Sequence, residues 1–240
     1  MSANPNPDVP PLTVTRDEVR QLDALAISQC GINSLVLMEN AARGLVDAIL
    51  AHSPTRIVFL CGPGNNGGDG LAAARILASS DRPTEVRLVT AGKQLSNDAS
   101  CNLEILNRCG VDAPESAPEQ LSSELKSLQT SDLIVDCLLG TGIRGAIRAP
   151  WEDVVNAANR SPAPILAADL PSGLDCDTGC GTGACIEARQ TVTFAALKKG
   201  FLNPDAQRYT GTVTLAHIGM PAQWVRRTVL ELRETADRKN

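Results

Sequence analysis

The sequence predicts an α/β protein, a Rossmann-like three-layer α/β/α sandwich with a mostly parallel central sheet. Three observations carry that prediction. From residue 56 onward, short β-rich apolar runs alternate with helical stretches, the pattern of parallel strands joined by helical crossovers. One run, Arg56-Ile-Val-Phe-Leu60, passes into Cys61-Gly-Pro-Gly-Asn-Asn-Gly-Gly-Asp-Gly70 and then into Leu71-Ala-Ala-Ala-Arg-Ile-Leu77, so a strand feeds a glycine loop that opens a helix. Two later strands end on acids, Asp136 and Asp169. In an open parallel sheet, ligands bind beyond the carboxyl ends of the strands.

The elements follow in chain order. Residues 1–14 contain four prolines and read as an extended or disordered lead-in. Thr15-Arg-Asp-Glu18 is a capping box, and Val19, Leu22, Leu25 and Ala26 predict one apolar helical face over 15–27. Gly31 breaks that helix, and a second spans 34–51. Strands are expected at 56–61, 85–90, 132–138, 164–169, 190–197 and 211–218. Helices are expected at 69–79, 96–109, 121–129 and 151–159. Residues 15–225 read as one domain, and 226–240 as a helical or frayed tail.

Composition narrows the function. Charged residues make up 20% of the chain and net charge is −5. A negative chain with 2% aromatics suits neither a nucleic-acid surface nor an anionic membrane. No apolar run approaches the ~18 residues that span a bilayer. The N-terminus lacks a basic and apolar leader, so a cytoplasmic location is expected. Of eight cysteines, Cys176, Cys180 and Cys185 cluster, but without C-x-x-C spacing or a nearby histidine; free thiols are the expected state.

The glycine loop carries the chemistry. Its five glycines are expected to permit positive φ and close approach of a ligand, and the first helical N–H groups form an anion site. Gly62, Gly64 and Gly67 satisfy G-x-G-x-x-G. However, the second strand ends in Thr90 rather than in the acid that holds a ribose. Asp69, expected in the first helical turn, would repel a pyrophosphate. Gly68-Asp69 also occupy the positions where a P-loop needs Lys-Ser/Thr. On the same rim, Gly140-Thr-Gly-Ile-Arg-Gly145 forms a second glycine loop, with Arg144 or Arg148 available to pair with phosphate.

The segment Gly62-Pro-Gly-Asn-Asn-Gly-Gly-Asp-Gly70 resembles the signature loop of the YjeF N-terminal domain, the NAD(P)H-hydrate epimerase family. Met38-Glu-Asn-Ala-Ala42, the loop at 140–145, Pro171-Ser-Gly-Leu-Asp175 and Thr193-Phe-Ala-Ala-Leu-Lys-Lys-Gly200 resemble further segments of that family, in order. The resemblance covers roughly 15–225. In the last segment Lys199 stands where the family has proline, which affects the expected turn. Lys198 reads as a surface or packing lysine, with contact to a substrate phosphate as the alternative. Asn40 reads either as part of a solvated face or as a cleft residue.

The resemblance implies epimerisation of (R)- and (S)-NADHX or NADPHX, the cofactors hydrated at C6 of the nicotinamide ring. It implies substrate contacts at Asn65, Asn66, Gly67, Gly68 and Asp69, at Gly140, Thr141, Gly142, Ile143, Arg144, Gly145 and Ala146, and at Asp169, which is the expected general acid/base. It also implies one potassium ion (K+) per subunit, held by Asn66, Asp136 and Ser172. A homodimer through the N-terminal helices is expected, with a separate dehydratase chain as functional partner, since 240 residues leave no room for a fused one. The alternatives are a non-catalytic dinucleotide- or protein-binding module, such as the related domain of an mRNA-decapping scaffold, and a dehydrogenase, which Thr90 disfavours.

Overall fold

The computed structural model describes residues 12–79, 82–142 and 144–238. Most of the predicted lead-in, and Ile143, lie outside the described residues. A strand β1 at Thr13–Val14 is followed by helices α1, Arg16–Ser28, and α2, Ser34–Ala51. Thr15 and Glu18 form both halves of the predicted capping box on α1, and the Asn33 side chain caps α2. The alternating region then runs β2 (Ile57–Cys61), α3 (Asn65–Leu77), β3 (Thr84–Leu88), α4 (Asn97–Arg108), α5 (Pro118–Ser127), β4 (Leu133–Cys137), α6 (Trp151–Asn159) and β5 (Ile165–Ala168). It closes with β6 (Gln190–Phe194), β7 (Leu197–Lys198), two short 3-10 turns, α7 (Gln207–Thr210), β8 (Thr212–Ala216) and α8 (Ala222–Asp237).

Six strands form one sheet in the order β3-β2-β4-β5-β6-β8, with every pairing parallel. Successive side chains of a strand point to opposite faces. Ile57, Phe59, Cys61, Val135 and Cys137 therefore pack under α1, α2, α3, α4 and α8, while Val58, Leu60 and Ile134 pack under α5 and α6. Both faces are covered, which is why the central strands are apolar without alternation. The strand order reverses between β2 and β4, and that crevice is where an open α/β sheet takes a ligand.

Three departures from the sequence reading bear on function. First, α3 begins at Asn65, four residues earlier than expected. Second, the strand expected at 190–197 ends at Phe194. Ala195 takes φ of 64°, and the chain turns so that Leu197–Lys198 leave the main sheet and pair with β1. Third, α8 is a sixteen-residue helix that contributes Val225 and Val229 to the core, and Arg233 donates to Glu18 and to the Thr13 carbonyl. That bond ties α8 to the start of α1.

Candidate active site

At the carboxyl end of β2 the loop is held by tight backbone packing. A Cβ on Gly62 would lie 1.7 Å from the Leu138 carbonyl oxygen, and one on Gly67 would lie 1.9 Å from that of Gly62. A Cβ on Gly70 would press on the sulfurs of Cys61 and Cys137 at 2.8 Å. None of these glycines takes positive φ, contrary to expectation; glycine is required because Gly62 and Gly70 lie against the end of β4 and Gly67 lies against Gly62. Gly64 differs from the others, since a Cβ there would meet nothing within 4 Å. It caps α3 and faces the open side. Because Gly68 N–H already bonds the Gly64 carbonyl, the outward donors are those of Asn65, Asn66 and Gly67.

The early start of α3 moves Asp69 out of its first turn, so the expected clash with a pyrophosphate at the helix end does not arise. Asp69 is buried, and burial, together with the nearby Asp169, holds its carboxyl well above the usual range.

Beneath the loop, Asn66, Asp136 and Ser172, for which the resemblance implies a potassium ion, gather around the Leu138–Leu139 backbone. Asp136 is fully buried at the end of β4. It accepts from Ser172 N at 2.8 Å, from Ser172 Oγ at 2.7 Å and from Leu138 N at 3.2 Å. Asn66 Nδ2 donates to the Leu139 carbonyl at 3.1 Å, and Ser172 Oγ accepts from Leu139 N at 2.9 Å. The amide oxygen of Asn66 is buried without a partner. Burial pushes the Asp136 carboxyl up to about 6, against the lowering effect of the Ser172 bonds. An orphaned amide oxygen beside a carboxylate and a hydroxyl is a hard oxygen set with a single charge, a donor set that suits a monovalent cation. Among the described residues no group of three or more His, Cys, Asp or Glu side chains is placed to hold a metal. All eight cysteines are free thiols; burial pushes Cys176 and Cys185 up to about 12, and Cys180 is exposed.

Asp169 follows β5 with φ of 61°, a left-handed conformation costly for most side chains. Its N–H is held by the Val192 carbonyl at 2.8 Å. Its Oδ1 faces Lys198 Nζ at 2.6 Å and accepts from Phe194 N at 3.2 Å and Thr193 Oγ1 at 3.4 Å. Of the positions read from sequence for Lys198, surface or packing, the structure excludes the surface. The lysine is fully buried, and its ammonium also reaches Thr193 Oγ1 and the carbonyls of Phe194 and Ala196. The turn at Ala195 brings it back beneath Asp169. Within the described residues Asp169 Oδ2 carries no bond, so one carboxylate oxygen is fixed and the other is free.

These groups border a cavity of about 450 Å³. Of the predicted substrate residues, Asn65, Asn66, Asp69, Gly140, Thr141, Gly142 and Asp169 line it. Gly67 and Gly68 do not; they are packed inside α3, Gly68 against Met38. Arg144, Gly145 and Ala146 line a second cavity of about 410 Å³, which shares Leu139, Gly142 and Trp151 with the first and also holds Arg148. Arg144 pairs with Asp17 at 3.5 Å, a solvent-exposed contact. Asn40 lies away from both cavities, donating to the carbonyls of Val36 and Ile218, and Glu39 pairs with Arg43 and Arg75. Asp23 of α1 and Lys93, which lies over the Trp151 ring at 4.4 Å, line the first cavity and were not singled out from sequence. Nothing local in the sequence marks either of them.

The YjeF-related protein N-terminus family matches residues 34–200. An NAD(P)H-hydrate epimerase of Rhodopirellula baltica is 37% identical over 219 residues, covering 91% of this chain and 88% of that protein. One from Limosilactobacillus fermentum is 38% identical, covering 85% and 95%. A bifunctional NAD(P)H-hydrate repair enzyme Nnr of Pyrobaculum aerophilum is 42% identical over 200 residues, and this chain spans 39% of its length. The crystal structure of yeast ynu0 (YNL200c) shares the fold, with a TM-score of 0.76 at 21% identity over 90% of this chain and 93% of that one. The chain belongs to the family of YjeF-related N-terminal domains.

Proposed function

We propose that the protein is an NAD(P)H-hydrate epimerase, an isomerase of metabolite repair that interconverts the (R)- and (S)-forms of NADHX and NADPHX at C6 of the hydrated nicotinamide ring. The relatives support the reaction class. The observation that carries the reading is the Asp169–Lys198 pair, which opens into the same cavity as the end of the glycine loop.

Epimerisation needs the hydroxyl on one face of C6 to leave and an oxygen to add from the other face. Asp169 Oδ2, held out by the clamp on Oδ1, exchanges a proton with that oxygen, and the ring nitrogen supplies the electron pair for the iminium formed between. The N–H groups of Asn65 and Asn66 take the substrate phosphates at the positive end of α3. The Gly140–Gly142 loop closes over them. Arg144 and Arg148 hold the outer anionic groups. A potassium ion would be held by the amide oxygen of Asn66, Asp136 and Ser172, and would supply positive charge that fixes both loops through their shared contact at Leu139. No hydride moves, so the site does not need the ribose acid that a dehydrogenase carries. The dinucleotide is processed further by an S-specific dehydratase, and the epimerase works as a homodimer in the cytoplasm.

The test is recovery of NADPH from an (R)/(S)-NADPHX mixture by an S-specific dehydratase, with and without this protein, in potassium buffer. The dehydratase alone stalls near half recovery, and the protein drives it to completion. No effect of the folded protein would overturn the reading in favour of a non-catalytic binding module.

A further inference from the structure

Inverting C6 requires proton traffic on both faces of the ring. Asp169 cannot serve both, because Lys198, Phe194 and Thr193 fix its orientation. The opposite carrier has to come from another element of the cavity wall. Helix α1 supplies one face of that wall, with Val19, Asp23 and Ile27 spaced four residues apart. Among the described residues, the Asp23 carboxylate has no hydrogen-bond or ion-pair partner. A half-buried carboxylate without a partner destabilises the fold, and such groups gather at functional sites.

We infer that Asp23 is the second proton-transfer residue of this site, acting on the C6 oxygen from the α1 side while Asp169 acts from the sheet rim. The inference rests on the epimerase reading. The Asp23 carboxyl gives its proton to the C6 hydroxyl as the C6–O bond breaks, and water leaves. The lone pair of N1 forms the C6–N1 double bond of the iminium. A second water then attacks C6 from the Asp169 side, the double-bond electrons return to N1, and Asp169 Oδ2 takes the released proton. The reverse epimerisation swaps the two roles, and solvent in the cavity returns the proton between turnovers.

The charges facing Asp23 fit this role. Asp169 from the end of β5, Asp69 from α3 and Asp98 from α4 share the cavity with Lys198 from β7, Lys93 and Arg20. Burial first, and the Asp169 charge second, push Asp23 up to about 6, with Lys198 opposing. Burial first, and the Asp169 charge second, also hold the Asp69 carboxyl well above the usual carboxylate range.

The test uses the full chain with Asp23→Asn, and Asp23→Glu as the conservative variant. Folding is checked by thermal unfolding, and site integrity by NADP+ binding. For Asp23→Asn, kcat falls by about 10²–10⁴ with KM within about threefold, the limb of the kcat/KM profile near pH 6 disappears, and Asp23→Glu restores part of the rate. In H₂¹⁸O the wild type gains one ¹⁸O at C6 per inversion. Retained kcat and an unchanged pH limb in Asp23→Asn overturn the inference, as does inversion without ¹⁸O uptake. A wild type inert toward NADPHX removes the epimerase reading itself, and the inference falls with it.

Discussion

Replacing Lys198 with methionine tests the pair on which the site depends. The Lys198 side chain is 1% exposed and the Asp169 side chain 14%, so solvent screens their contact little. Removing one partner of a buried pair costs about 3–5 kcal/mol, because the other charge stays behind unpaired. Lys198→Met also strands Thr193 Oγ1 and the carbonyls of Phe194 and Ala196, so the upper end of that range applies. For a chain of this size each kcal/mol moves Tm by about 2–4 °C, so Tm drops by about 10–20 °C. The assay is a double-mutant cycle in urea with Lys198→Met, Asp169→Asn and the double variant. Asn is the right replacement at 169 because it tolerates left-handed φ, which isolates the charge. The double variant should be more stable than the sum of the singles predicts, by roughly 1–3 kcal/mol. Both variants carrying Asp169→Asn lose turnover. A Lys198→Met variant that loses under 1 kcal/mol and adds simply with Asp169→Asn would refute the pairing.

Three further outcomes follow from the geometry. Gly67→Ala, whose Cβ would overlap the Gly62 carbonyl, destabilises by about 3 kcal/mol or more in urea unfolding, whereas Gly64→Ala stays within about 0.5 kcal/mol and raises KM instead. At equal ionic strength, KCl raises Tm over choline chloride, by the equivalent of about 1.4 kcal/mol when potassium is tenfold above its Kd; Asn66→Leu and Asp136→Asn abolish the rise. Asp23 is raised from 3.8 to about 6, so between those values the folded protein holds the proton more tightly than the unfolded chain. Its destabilising effect is absent below the lower value, grows as pH rises through the window, and is complete above about 6. Asp23→Asn is therefore neutral near pH 4 and, on urea midpoints, more stable than wild type above pH 7, by up to roughly 3 kcal/mol.

Much of the frame is legible along the chain. Helix limits at α1 and α2, the strand-loop-helix unit and the acids at two strand ends all depend on neighbours within one or two turns. Helical period, capping residues and apolar runs report such short-range physics directly. The trio Asn66, Asp136 and Ser172 was reached by motif resemblance, and the parallel sheet does bring these residues into one buried group.

What the sequence by itself determined is therefore the order of strands and helices, the parallel sheet and the rim on which the polar loops meet. Only the tertiary structure decided that the loop glycines serve close packing rather than positive φ, that Ala195 folds Lys198 beneath Asp169, and that α1 brings Asp23 to the cavity. Each of these depends on residues far apart in the chain, and on burial that strips water from a charge. A one-dimensional pattern cannot register a lysine that is buried because a carboxylate and three further oxygens, brought together by a turn off the sheet, replace its water.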